Sequence, residues 1–298
     1  MCPLIAATLG ALLAAARRTA VPARRRLPVM SGPELACLDG TVAPSAGTFI
    51  PATDEGLLRG DGVFEVVRVY GGAPFALADH LDRLERSAAN LRLGYDPPRV
   101  TLEEEATRLL GERADAFDGC LRMVLTRGGR RLLLTEPLPP IADTIRLGLV
   151  TFAPTRLLDG VKSLSYAANM LAGRMACERG FDEALLVTPH GRVLEAPTSS
   201  IFWVDAAGTV CTPPLDDHIL ASITRERVLR LVDVEERSAT FADLEGAAEA
   251  FLASTTREVQ AVAAIEDREF PPEAGPRTRE CAQALRAHIE ESLRTVRT

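Results

Sequence analysis

A nine-residue run, Gly62-Val-Phe-Glu-Val-Val-Arg-Val-Tyr70, is followed at once by Gly71-Gly72, and this pairing leaves few folds open. β-Branched and aromatic side chains suit a pleated, half-buried surface, and a glycine pair supplies the positive φ of a tight hairpin. The run therefore reads as a strand whose partner returns over Pro74 to Leu77. The period then changes. Leu81, Leu84, Ala88 and Leu91 recur at helical spacing, with Asp79 as the expected N-cap. A hairpin that passes directly into an amphipathic helix must cover one face of its sheet with that helix, which makes this an α+β module.

The first half also contains a hairpin from Leu35 around Asp39-Gly40, a helix over Leu102 to Arg113, and strands at Cys120 to Thr126 and Thr144 to Thr151 that close it. Pro154 to Gly160 has the composition of a linker. The second half reads as a strand or loop at 161–165, a helix at about 167–179, a strand at Glu183 to Val187, a His190-Gly191 turn, and strands at Arg192 to Leu194 and Ser200 to Val204. A helix follows from Ser222, its N-cap, through Val232, and a strand at Ala250 to Ala253 feeds Ser254-Thr255-Thr256. Two domains are expected, a small α+β domain over 31–153 and a larger one over 161–298, joined by 154–160.

Residues 1–30 stand apart. Their apolar run precedes Arg17, Arg18 and Arg24 to Arg26, the reverse of a secretory signal, and is too short to span a bilayer. We expect a disordered extension, or residues upstream of a true start at Met30. Removing those five arginines leaves 29 basic against 41 acidic groups in residues 31–298, a balance of −12 that disfavours nucleic acid and anionic membrane as partners. Six scattered cysteines with no C-x-x-C spacing, beside four histidines, read as thiols in a reducing cytoplasm and not as a metal site.

The same composition isolates one residue. Of 34 basic side chains only Lys162 is lysine. Arginine stays protonated at accessible pH, whereas a lysine amine can be desolvated, lose its proton and attack a carbonyl to form a Schiff base. A lysine bound to pyridoxal phosphate needs an acid near the ring nitrogen and a cradle for the phosphate dianion. Glu195, in Glu195-Ala-Pro-Thr-Ser-Ser-Ile-Phe-Trp-Val204, supplies the first. The helix start at Ser222-Ile223-Thr224 and the hydroxyl-rich turn Ser254-Thr255-Thr256 supply the second, because first-turn amides lack intrahelical acceptors and complement an anion.

Taken in order, Gly60-Asp-Gly-Val-Phe-Glu-Val-Val-Arg-Val-Tyr70, His80-Leu-Asp-Arg-Leu84, Lys162-Ser-Leu-Ser-Tyr166, Glu195 to Val204, Thr212-Pro-Pro, Ile223-Thr-Arg225 and Ser254-Thr-Thr256 resemble the class IV aminotransferases, over about residues 33–265. That family includes branched-chain aminotransferases, D-amino-acid transaminases and aminodeoxychorismate lyases. The resemblance implies a two-domain fold, α+β or α/β, with pyridoxal 5'-phosphate between the domains and the larger domain holding it. It also implies a homodimer whose site borrows from the neighbouring subunit. By position it makes Lys162 the Schiff-base lysine and Glu195 the partner of the ring nitrogen. Arg83, Ile223, Thr224 and Thr255 become phosphate ligands, with Ser222, Ser254 and Tyr166 beside the cofactor and Phe64 and Thr256 beside the substrate.

Three positions depart from the pattern. Ser200 stands where many relatives have asparagine. Ala167 stands where branched-chain enzymes have tyrosine, with Tyr166 one position early. Val66 stands where the lyases often carry a catalytic threonine. The reaction expected is transfer of an amino group between an amino acid, branched-chain or D-type, and a 2-oxo acid; the alternative is elimination of pyruvate from aminodeoxychorismate to give 4-aminobenzoate. Arg122 matches the carboxylate clamp of branched-chain enzymes, while Arg130 and Arg131 lie in the loop where D-amino-acid transaminases and lyases bind carboxylates. Stereochemistry stays open between them.

Overall fold

The computed structural model describes residues 34–94, 97–113, 116–271 and 273–297, so the expectation for residues 1–30 lies outside the described residues. Two sheets carry the chain. The first has six strands in the order β2-β1-β6-β5-β3-β4: β1 Leu35–Leu38, β2 Thr41–Pro44, β3 Gly62–Tyr70, β4 Ala73–Pro74, β5 Gly119–Thr126 and β6 Arg131–Glu136. All its pairings are antiparallel, as tight hairpins at Asp39-Gly40 and Gly71-Gly72 require. A short helix, α1 (Glu55–Arg59), is capped by Asp54, whose side chain accepts from the Gly56 amide.

One face of this sheet is buried by two helices, α2 (Leu77–Asn90) and α3 (Arg99–Gly111). Val63, Val67 and Val69 of β3, Leu121, Met123 and Leu125 of β5, and Leu133 of β6 pack there against Leu81 and Leu84 of α2 and Leu102 and Leu109 of α3. Strand alternation turns Phe64, Val66 and Arg122 to the opposite face. Several boundaries differ from expectation. The return strand is only Ala73–Pro74, because the chain turns at Ala76 with φ +56° and starts α2 at Leu77. Asp79 therefore lies in the first turn and not at the cap, where it pairs with Arg227 at 2.7 Å.

The second sheet runs β11-β10-β9-β12-β13-β7-β8, with β14 (Arg268–Glu269) on β13. Its strands are β7 Thr144–Thr151, β8 Glu183–Val187, β9 Ser200–Val204, β10 Val210–Thr212, β11 Val234–Glu236, β12 Glu249–Ser254 and β13 Glu258–Ile265. Thr144–Thr151, expected to close the first half, belongs here. It runs parallel to β8 and β13, and Ile145 and Leu147 enter a core with Leu185, Trp203, Leu252 and Ile265. The crossover to β8 is helix α4 (Ala167–Glu178), a connection a parallel pair demands.

The expected strand Arg192 to Leu194 is instead a pair of isolated bridges, Val187 to Val193 and Arg192 to Thr240. The remaining helices are α5 (Ile223–Leu231), α6 (Phe241–Glu245) and α7 (Pro276–Arg297). Among the described residues no helix is long and apolar enough to cross a membrane. Cys37, Cys120, Cys211 and Cys281 are buried free thiols.

Candidate active site

The segment carrying Lys162 docks on the start of β3. Phe64 N donates to Lys162 O at 3.0 Å, Leu164 N donates to Gly62 O at 2.9 Å, and Lys162 N donates to Ser87 Oγ at 3.1 Å. Gly62 makes the approach feasible, since a Cβ there would sit 2.5 Å from Leu125 O and 2.6 Å from Leu164 Cδ1. Gly60, at φ +67°, closes α1 and turns the chain into the strand.

This docking lays the Lys162 amine against aromatic rings, with Nζ 4.5 Å from the centroid of Phe64 and 5.8 Å from that of Tyr166. The two rings meet edge-on at 5.5 Å. Among the described residues no carboxylate lies within ion-pair distance of Nζ. Burial, reinforced by the Arg83 charge, brings the amine down to about 8, against the pull of Glu65 and Glu195. A substantial neutral fraction at mild pH is what nucleophilic and proton-transfer chemistry at an amine requires.

Glu195 follows the short bridge in which Leu194 N donates to Leu186 O and Leu186 N to Glu195 O, each at 2.9 Å. Its Oε1 accepts from the Leu220 amide at 3.0 Å. Burial raises this carboxyl to about 7, opposed by that amide and by the charges of Lys162, Arg225 and Arg83, and among the described residues it makes no ion pair. Tyr166 OH donates to Pro197 O in the turn just after it. In that turn the Oγ atoms of Ser199 and Ser200 are buried with no partner, and buried hydroxyls are rarely left so. The Ser200 departure from asparagine thus leaves a hydroxyl without a local acceptor.

Helix α5 begins at Ile223 with Ser222 as N-cap, its Oγ accepting from Arg225 N at 3.3 Å. Ile223, Thr224, Ser254 and Thr255 line one small cavity whose wall also carries His80, Tyr70, Glu258 and the apolar Phe75, Leu285 and Ile289. Thr256 follows in the turn between β12 and β13, where Ser254 Oγ accepts from Arg257 N. The cavity itself is too small and too apolar for a phosphate, but it shows that the first turn of α5 and the hydroxyl-rich turn after β12 lie side by side, and such a pairing of amides and hydroxyls would suit an anion. Arg83 reaches the cradle's edge through Nη1, which donates to Ala221 O at 3.0 Å. The lysine, the isolated acid and the cradle together fit pyridoxal phosphate.

The structure separates the three candidate clamps. Arg122 shares the Phe64 face, its guanidinium carbon 5.5 Å from that ring's centroid. Arg131 falls on the helix-covered face, where it pairs with the buried Glu105 of α3 at 2.7 Å. Arg130 pairs with Asp39 at 2.8 Å. Within one chain only Arg122 stands over the ring that also carries Lys162.

Two acids at the site had no role assigned from sequence. Glu65 of β3 is fully buried and accepts from Arg83 and His80. Glu136 of β6 accepts from Arg122 Nε at 2.8 Å. Strand alternation would have put Glu136 on the Arg122 face had the pairing of β5 with β6 been known; for Glu65 the only signal was a carboxylate inside a run that, Arg68 aside, is otherwise apolar.

The family model for class IV amino-transferases matches residues 62–265. A putative branched-chain-amino-acid aminotransferase from Methanocaldococcus jannaschii is 35% identical over 260 residues, covering 78% of this chain and 88% of that protein. A D-alanine aminotransferase from Bacillus licheniformis is 31% identical over 266 residues, covering 82% and 93%. Among solved structures, a branched-chain aminotransferase from Thermoproteus uzoniensis with norvaline superposes with a TM-score of 0.80 at 27% identity, covering 88% of this chain and 96% of that one.

Proposed function

The chain belongs to the class IV aminotransferases, enzymes that use pyridoxal phosphate, and from that premise we propose that it moves the amino group of an apolar 2-amino acid, branched-chain or D-type, to a 2-oxo acid. One observation carries the reading: the Lys162 amine and the Arg122 guanidinium lie against the same ring, that of Phe64. A substrate lying over the ring can offer its Cα to the amine while its carboxylate meets the cation.

When bound, pyridoxal phosphate supplies an electron sink for the charge left at Cα on deprotonation. The amides at the start of α5 and the hydroxyls of Thr224 and Thr255 would hold its phosphate, and Arg83 would add positive charge beside them. Glu195, fixed by the Leu220 amide, would face the ring nitrogen and keep it protonated. Lys162 would take the proton from Cα and deliver it to the carbon on the far side of the transferred nitrogen, its amine kept partly neutral by burial. Phe64 and Tyr166 exclude water from that transfer.

The lyase alternative would place a hydroxyl at position 66. Val66 directly faces Arg122 across the paired strands and offers none, which favours transamination. We further hold that the enzyme works as a cytoplasmic homodimer, to which the exposed Leu57, Leu58, Leu171 and Met175 offer apolar surface. Assaying purified holoenzyme in parallel with D-alanine, branched-chain L-amino acids and aminodeoxychorismate tests the assignment. Amino transfer to 2-oxoglutarate from an apolar amino acid is expected; pyruvate release from aminodeoxychorismate without any amino transfer would overturn it.

A further inference from the structure

Arg122 is held at one edge and open at the other. Glu136 Oε1 accepts from its Nε at 2.8 Å, and among the described residues Nη1 and Nη2 meet no protein acceptor. The placement follows from register: β5 pairs Cys120 with Glu136, so Glu136 lies two positions along the strand from Arg122 on the same face of the sheet. The other guanidinium on this face, Arg68, is already committed to Val69 O, Gly119 O and Asp118. A guanidinium can meet a carboxylate two-point either along its Nε side or across its Nη1–Nη2 end. Glu136 occupies the first and leaves the second.

We propose that Glu136 is a positioning residue for the substrate carboxylate, fixing Arg122 through Nε so that its Nη1–Nη2 end is presented for two-point contact beside Lys162. This rests on the reading of Arg122 as the clamp. An arginine side chain on a strand, one-third exposed, otherwise samples several rotamers that must be lost on binding. Freezing one such side chain beforehand is worth about three- to tenfold in affinity.

The test uses holoenzyme and 4-methylpentanoate, an unreactive monocarboxylate, with binding read from the visible absorption of the cofactor. Glu136→Ala is expected to weaken binding by about three- to tenfold, with the kinetic loss concentrated in KM and not in kcat. Glu136→Gln keeps an oxygen acceptor for Nε–H and is expected to recover most of that affinity. Unchanged thermal unfolding of both variants confirms that the partly buried position is not structural. Wild-type binding in Glu136→Ala, alongside weak binding in Arg122→Ala, overturns the Glu136 role while the clamp stands. An equal loss in Glu136→Gln overturns the orienting role in favour of charge. No effect of Arg122→Ala overturns the clamp, and the role of Glu136 with it.

Discussion

Glu65 grips Arg83 at two points, Nε to Oε1 at 2.6 Å and Nη2 to Oε2 at 2.7 Å, and takes a third contact from His80 Nδ1 at 2.8 Å. All three side chains are buried. The Nη1 of Arg83 then reaches Ala221 O, one residue before the cap of α5. One acid in β3 thereby fixes a guanidinium that joins α2 to the start of α5, where the proposed function places the phosphate. The arrangement parallels the hold of Glu136 on Arg122: in both, a strand glutamate takes Nε.

Glu65→Gln should therefore loosen the cradle as well as the fold. Removing one partner of a buried pair costs about 3 kcal/mol, because the other charge is left poorly compensated. We expect thermal unfolding to fall by several degrees and the dissociation constant for pyridoxal phosphate to rise about tenfold or more, read by equilibrium titration of apoprotein. Unaltered cofactor affinity in a folded variant would separate Arg83 from the phosphate.

The same carboxyl sets an acid limit. Burial tends to raise its pKa, yet the hydrogen bond and charge of Arg83, then His80, hold it at about 2 against an ordinary 4.5. Its contribution is complete above pH 4.5 and is lost as pH falls toward 2. By linkage it amounts to about 3 kcal/mol. Urea unfolding at pH 5 and pH 3 should show the wild type losing stability that Glu65→Gln does not lose.

Glu195 works in the opposite direction in apoprotein. Burial raises it to about 7 from 4.5, so between those values the folded chain keeps a proton that the unfolded chain has released. Stability of the apoprotein should fall as pH rises through that window, and Glu195→Gln should flatten the slope. Added pyridoxal phosphate should reduce it as well, by giving the carboxylate a protonated ring nitrogen to face. In turnover, Glu195→Gln should retain the cofactor but slow proton removal at Cα; an unchanged kcat would reject the role.

Lys162 is the chain's single lysine, so its chemistry can be followed without a background of other side-chain amines. Burial first, then Arg83, lowers its amine to about 8. Labelling of apoprotein by an acylating reagent should rise with pH and reach half its maximum near 8, where an exposed lysine would show its midpoint near 10.5. Borohydride reduction of holoenzyme should place the cofactor on the peptide containing Lys162, and Lys162→Arg should abolish turnover, since guanidinium forms no Schiff base.

Local signals were legible in the sequence and pairings were not. The strand Gly62–Tyr70 and the Ser222 cap announce themselves through residue type and spacing. The membership of β7 in the second sheet depends on parallel partners, β13 and β8, that lie far along the chain or across a helix, and nothing within Thr144–Thr151 encodes them. Lys162 stood out because its chemistry is unavailable to arginine. Glu65 did not, since a carboxylate in a strand reads as solvent-facing until Arg83, 18 residues on, is folded over it. Arg130 and Arg131 were singled out by the resemblance of their loop to the carboxylate-binding loop of D-amino-acid transaminases and lyases, and nothing in the loop's sequence announced the pairs with Asp39 and Glu105 that they make within one chain.

Arg131 gives the clearest contrast with Arg122. Register sets Leu125 opposite Arg131 and Leu134 opposite Arg122, so the two arginines take opposite faces of one sheet. Arg131 meets Glu105 through Nε and Nη2, and Glu105 is 2% exposed, while Asp39 Oδ1 accepts from the Arg131 amide. Arg131→Ala would leave Glu105 buried without this partner, at a cost of about 2 kcal/mol, or roughly 3 °C in Tm for a chain of this size. KM for amino-acid substrates should hardly move, because the lost guanidinium lies behind the sheet. Thermal unfolding and steady-state kinetics on the same preparation decide between the roles. A stable Arg131→Ala protein with a raised KM for dicarboxylates would mean that this loop reaches substrate after all, in an assembled oligomer where a second chain brings it to the site.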